Sequence, residues 1–266
     1  MSSPADLRAL AAEHSFVVPA YGDSPFLAGC LRSLRAQTLI SRLLLTTSTP
    51  SRFIEEVAVE FGAEVRVNPE RAGIASDWNF ALAASGARFV TLAHQDDVYF
   101  PAFLERSLAL FQGAPDAAVC FTAYEEIDDT GAPKTSKISL AKHLLERLTL
   151  GSVDTVRGAR LRAFLSFGNP LPCSSVTFNR EQLGSFEFSG DYASNLDWDA
   201  WLRLERAGET FLRVPERLVG RRHNSLTATS QLLRDGRRKQ EDLRIFQRLW
   251  PAPLGDFIAY AYRAGY

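Results

Sequence analysis

"TLAHQDDVYFP" (Thr91–Pro101) runs an apolar strand straight into two adjacent carboxylates, Asp96 and Asp97. Like charges side by side repel, so the pair needs a reason. The residues offer two. One carboxylate can cap the helix that Pro101 opens, since Asp before a helix start and Pro in its first turn are both favoured. Alternatively, a doubly positive ion sits there.

Working outward, apolar runs alternate with helix-like stretches. "SFVVP" (15–19), "RLLLTT" (42–47), "AEVRVN" (63–68) and "RFVTLAH" (88–94) are strand-like, each with a helical pattern after it, and "AAVCFTAY" (117–124) is a fifth. That alternation predicts an α/β fold, a Rossmann-type, mostly parallel sheet flanked by helices. The first helix is expected within "DSPFLAGCLRSLRAQT", with Ser24 as its cap and Pro25 in its first turn. In such a sheet ligands gather at the carboxyl ends of the strands. "PAYGD", "TTSTPS", "NPERAG" and "HQDD" therefore share one rim, around a cleft of nucleotide size.

The second half is less regular. "ISLAKHLLERLTL" (138–150) has helical periodicity, and "SSVTFNRE" (174–181) is a strand turning into a short helix. "DWDAWLRLERAG" (197–208) is an amphipathic helix ending at Gly208. "ETFLRVPERLVGRRH" is a strand broken by Pro215, and the tail from Leu232 is mostly helical, interrupted at "WPAP". The expected division is a main domain over 1–230 and a helical extension over 231–266 packed on it.

The chain has 266 residues, 46% hydrophobic, enough to bury a large core without disulfides or structural metal. A formal net charge of -1 gives no general attraction to nucleic acid or an anionic membrane. Three widely spaced cysteines match no metal motif and suit a reducing compartment. With no apolar run of membrane-spanning length and no signal-peptide pattern, the expectation is a cytoplasmic protein, with a peripheral position on the inner membrane face left open.

In order along the chain, "VVPAYGD", "VNPERAGIASDWNFAL", "FVTLAHQDDVY", "GNPLPCSSVTFNRE", "LDWDAWLRLERAG" and "GRRHNSLTAT" resemble a family-two glycosyltransferase of the GT-A fold, over about residues 15 to 230. The resemblance implies an inverting enzyme that moves a sugar from a nucleotide-diphosphate donor, a UDP- or dTDP-sugar, to a hydroxyl of a glycan or lipid-linked acceptor. It also implies a divalent cofactor, Mn2+ or Mg2+, which would answer the opening question. Tyr21 matches the nucleobase-stacking position and Asp23 shares its loop. Asn68 and Arg71 follow the third strand, where an Arg can grip phosphate with two donors. Asp77 and Asn79 are expected to face the same rim.

Where the family has Asp-x-Asp, this chain has "HQDD". His94 replaces the first acid, Asp96 becomes the ribose or diphosphate contact and Asp97 the metal ligand. Asp197 matches the general base, although Leu196 replaces the usual preceding Glu, and Asp199 two residues on is the alternative. Arg222 and His223 fall where the family approaches diphosphate or metal, and Asn224–Ser230 has the small, hydroxyl-rich make-up of a lid. "TTSTPS" lacks the acid that much of the family uses at the base, so the nucleotide stays open. Two rivals remain: a sugar nucleotidyltransferase, and a non-catalytic nucleotide-sugar-binding module of the same fold.

Overall fold

Period-two burial in the first strands shows how the sheet gains two covered faces. In β1 (His14–Pro19), Phe16 and Val18 belong to one buried cluster and Val17 to the other. β2 (Arg42–Thr47) repeats this with Leu43 and Leu45 against Leu44. A strand covered on both sides is apolar at every position, which is why these runs were visible in the sequence. The computed structural model describes residues 4–134, 137–222 and 236–263.

β3 (Glu64–Val67), β2, β1 and β4 (Phe89–Leu92) are parallel neighbours in that order. Beyond β4 the order continues through β8 (Val176–Asn179), β6 (Val119–Ile127) and β9 (Phe211–Arg222) to β5 (Val98–Tyr99), with β7 (Thr155–Val156) also on β9. β8 is antiparallel to both β4 and β6, while β6 and β9 are parallel. Most strands thus run one way, with β8 reversed at the centre and β5 and β7 reversed beside β9.

One face is covered by α1 (Pro4–Ala12), α2 (Leu27–Arg35), α3 (Arg52–Glu60) and α5 (Phe103–Gly113). The other carries α4 (Ile74–Ser85), α7 (Gly158–Leu165), α9 (Leu196–Arg206), α10 (Arg237–Leu249) and α11 (Leu254–Arg263). Trp198 and Trp201 of α9 are fully buried there, and Phe246 of α10 meets Trp198 edge to face at 5.1 Å between ring centres. α6 (Lys137–Leu150) and α8 (Arg180–Leu183) are the remaining α-helices among the described residues.

Three expectations need correction. α2 begins at Leu27, not at Pro25; Ser24 accepts from the Phe26 N–H, but the N-cap residue is Phe26 itself. α5 begins at Phe103 with Ala102 as its N-cap residue and no side-chain cap, so neither Asp96 nor Asp97 caps a helix. Pro215 does not break its strand. β9 runs through it, and the pairing with β6 steps from Thr122–Val214 to Ala123–Arg217, leaving Pro215 and Glu216 outside the register as a bulge.

Candidate active site

The segment after β4 is held from below. The Asp97 N–H donates to the His94 carbonyl at 3.1 Å and closes a tight turn. Cys30 of α2 donates its thiol to the same carbonyl, and Ser33 accepts from the Tyr99 N–H. Tyr99 donates its hydroxyl to the Ser174 carbonyl at 2.9 Å. Burial, with the charges of Asp97 and Asp96, pushes the Cys30 thiol far up, so it stays protonated and remains a donor.

This frame gathers His94, Asp96 and Asp97, whose ligand atoms all lie within 4.8 Å of one another. Asp97 is 2% exposed, and its Oδ1 accepts from the Arg222 N–H at 2.8 Å. Its Oδ2 is buried with no hydrogen-bond partner; the Ser174 hydroxyl stands near without bonding geometry. His94 Nε2 is likewise buried and unpartnered. These two unpartnered atoms and the second carboxylate, that of Asp96, lie close together and form a donor set that suits a divalent cation. The residues fit the ion that the resemblance implies.

The electrostatics agree with that fit. Burial, and then the charge of Asp97, push Asp96 from its ordinary 3.8 up to about 6, against the pull of His94. Burial also raises Asp97, opposed by the Ser174 hydroxyl and the Arg222 N–H. Burial lowers His94, and the charges of Asp96 and Asp197 act in the opposite sense.

A native Asp96 near 6 against an unfolded value near 3.8 makes the folded state bind more protons between those values. Stability without metal therefore falls as pH rises through that window. Asp96→Asn is expected to raise the thermal midpoint in chelator at pH 7.5 and to do so much less at pH 4. An equal shift at both values would contradict this.

Around the cluster, the loops after the strands interlock. The Tyr21 N–H donates to Gln95 Oε1, and Gln95 Nε2 donates back to the Tyr21 carbonyl, both at 3.1 Å. Tyr21 is 63% exposed beside this clamp. Gly22, at φ +60° where a side chain would be strained, donates to Thr49 Oγ1. Asp23 accepts from the Ser51 hydroxyl at 2.6 Å. Asp77 takes the Asn68 amide on one oxygen and the Ser48 hydroxyl on the other. Arg71 donates through Nε to the Ser48 carbonyl.

Other positions have different surroundings from those the sequence suggested. Asn79 forms a two-way clamp on the Phe188 backbone, at 2.9 and 2.7 Å, rather than an open contact on the rim. The Arg222 guanidinium lies 4.5 Å over the Phe26 ring and donates to the carbonyls of Asp96 and Asp128. His223 and the lid segment Asn224–Ser230 lie outside the described residues.

Asp197 and Asp199 differ sharply. Asp197 stands in the first turn of α9, half-buried, with Oδ1 accepting from the Trp198 N–H. It is near enough for its charge to act on His94 and Cys173. Asp199 is buried and takes Arg203 at 2.9 Å and Arg248 at 2.7 Å. Asp199→Asn is expected to cost about 2 kcal/mol in chemical denaturation, less than the roughly 3–5 kcal/mol of a fully buried pair because both cations still reach water.

The turn into α9 is fixed from α10. Glu241 accepts from the N–H groups of Ala193, Ser194 and Asn195 at 2.8 to 3.0 Å, and Asn195 donates to Asp242. Neither this anchor nor the clamp by Gln95 was foreseen from the sequence. Arg221, whose charge acts on His94, Asp96 and Asp97, was also missed, although "GRRH" places it beside Arg222.

The sequence model described as glycosyl transferase family 2 matches residues 15–169. The amylovoran biosynthesis glycosyltransferase AmsE of Erwinia amylovora is 25% identical over 199 residues, which are 71% of this chain and 68% of that protein. Among solved structures, S. aureus TarS 1–349 in complex with UDP-GlcNAc is similar with a TM-score of 0.65 at 12% identity. That match covers 89% of this chain and 65% of the other, so the chain spans about two thirds of that fragment of TarS. The mannosyltransferase PcManGT of Pyrobaculum calidifontis, in complex with GDP-Man and Mn2+, gives 0.63 at 14% identity, covering 94% and 69%. Glucosyl-3-phosphoglycerate synthase of Mycobacterium tuberculosis, with Mn2+, UDP and glucosyl-3-phosphoglycerate, gives 0.58 at 19%, covering 87% and 82%. These likenesses show the fold, the GT-A-like sheet expected above.

Proposed function

The chain belongs to glycosyl transferase family 2, and from that premise we propose that it moves a sugar from a nucleotide-diphosphate donor to an acceptor hydroxyl with inversion, using a divalent metal, in glycan or polysaccharide synthesis. The observation that carries this reading is the meeting of two elements at His94: the acid pair at the end of β4 and Asp197 at the start of α9. The AmsE likeness supports polysaccharide synthesis as the setting. In this reading residues 1–230 form the transferase unit and 231–266 a helical extension packed on it, which the contact of Phe246 with Trp198 supports. Among the described residues no helix is long and apolar enough to cross a membrane; a cytoplasmic position, at or near the inner membrane face, belongs to the proposal.

His94, Asp96 and Asp97 would hold the ion, with His223 assigned to metal or diphosphate; Mn2+ or Mg2+ there supplies positive charge for the departing diphosphate. Tyr21 offers the nucleobase a flat, exposed ring, with Asp23 beside it. Asn68 and Asp77 brace the loops after β2 and β3 on the nucleotide side. Arg71, fixed through Nε, keeps its terminal nitrogens without a protein partner among the described residues and can point them at phosphate. Arg222 braces the acid pair, its backbone N–H on Asp97 and its side chain on the Asp96 carbonyl.

Asp197 Oδ2 carries no hydrogen bond among the described residues and can take the acceptor's proton. The acceptor oxygen then attacks the anomeric carbon opposite the leaving diphosphate, the carbon–oxygen bond to phosphate breaks, and the configuration inverts.

A panel of UDP-, dTDP- and GDP-sugars, each assayed for hydrolysis with manganese and with chelator, tests this. Turnover of one nucleotide class with manganese alone is expected. Tight binding with no turnover of any donor, with and without acceptor extracts, would favour the non-catalytic binding module.

A further inference from the structure

Helix α9 has two charged faces. Asp197 and Asp199 are about 200° apart around its axis, so the side turned from the acid cluster carries Asp199. Arg203 and Arg206, four and seven residues on, continue the Asp199 stripe. Facing them, α10 presents Arg244 and Arg248, one turn apart. A cavity of about 690 Å³ lies against these four arginines, Tyr192 and Asp199. Ser189 and Asp191, hydrogen-bonded at 2.7 Å, also line it.

The charges there divide into a fixed frame and an open pair. Asp199 gives one oxygen to Arg203 and the other to Arg248, and Arg248 also donates to the Tyr192 hydroxyl at 3.1 Å. Arg203 is further held by the Glu187 carbonyl and the Phe186 ring. Arg206 and Arg244 are exposed and make no hydrogen bond or ion pair among the described residues. Four guanidinium groups against two carboxylates leave a surplus of two positive charges in one concave site. Like charges gathered this way are unfavourable until an anion joins them.

We propose that this cavity binds the dianionic phosphate of a monoester or pyrophosphate group, gripped by Arg206 and Arg244 and seated on the frame of Arg203, Arg248 and Tyr192. The planar guanidinium fork matches tetrahedral phosphate oxygens with two parallel donors. The site is separate from the donor cleft, since Asp197 and the acid pair lie towards the other side of α9. It joins α9 to α10, so its ligand would tie the C-terminal helices to the helix that carries Asp197.

The test is calorimetric titration of the full chain with inorganic pyrophosphate in chelator, which removes metal-bridged binding at Asp96 and Asp97. Saturable binding of one equivalent is expected, unchanged in Asp97→Ala and at least about tenfold weaker in R206S/R244S. R206K/R244K, which keeps the charge and loses the fork, should fall between. Both arginines are exposed and unpaired, so folding should be intact in these variants, checked by thermal midpoint. Equal affinity in R206S/R244S, or no saturable binding at all, overturns the proposal. Vesicles of phosphatidylcholine with and without phosphatidate identify the source of the phosphate. Sedimentation with phosphatidate vesicles only, lost in R206S/R244S, assigns a lipid headgroup. Pyrophosphate binding without sedimentation assigns a soluble phosphorylated ligand.

Discussion

Asp197→Asn is expected to lower sugar transfer by at least about a hundredfold while leaving donor affinity nearly unchanged. An acceptor hydroxyl is a weak nucleophile at neutral pH, and a positioned base typically contributes that much or more. Asn keeps the side-chain volume and can still accept the Trp198 N–H, so the first turn of α9 is preserved while the basicity is removed. Asp199→Asn is the control. Its effect should register as lost stability, because that carboxylate is occupied by Arg203 and Arg248. Measured side by side with one verified donor and acceptor, the two variants should separate cleanly into a kinetic and a thermodynamic defect. A large loss of transfer in Asp199→Asn with none in Asp197→Asn would move the base to the other face of the helix.

Asp97→Ala should abolish the tightening of nucleotide-diphosphate binding by manganese, a loss of at least about tenfold, the low end of what disturbing even the partners of metal ligands costs. The unbonded Oδ2 is the reason: an acceptor buried alone is unfavourable when nothing meets it, and binding of a cation reverses the sign. The same substitution relieves repulsion with Asp96, so the metal-free protein should melt no lower than the parent. Calorimetry of UDP and GDP with manganese and with chelator provides the check. Equal affinities under both conditions in the parent protein would remove the ion from the mechanism.

The parallel half of the fold was legible because strands covered on both faces are apolar throughout. β1 to β4 each fall within two residues of the runs that marked them. The insertion of β8 between β4 and β6 was not legible, since a strand's partners depend on where a long connection returns it. Nor was β5, whose two residues are too few for any period to register. At the site, the acid pair announced itself by its adjacency. The different surroundings of Asp197 and Asp199 could not be read from sequence spacing, because Arg248, which occupies Asp199, lies 49 residues further on. Arg222 shows the same limit: a basic residue beside the cleft looks alike in sequence whether its guanidinium faces ligand or, as here, main-chain carbonyls.

The carboxylate of Glu241 has a consequence in time. It satisfies three main-chain donors, at Ala193, Ser194 and Asn195, from 46 to 48 residues downstream. A chain growing on a ribosome exposes the turn before Asp197 well before that partner has been made. The sheet and its first covering helices can assemble in the meantime, as early segments generally do. The entry to α9 must wait with its donors in water. The turn that leads into Asp197 is therefore completed only once α10 has been made.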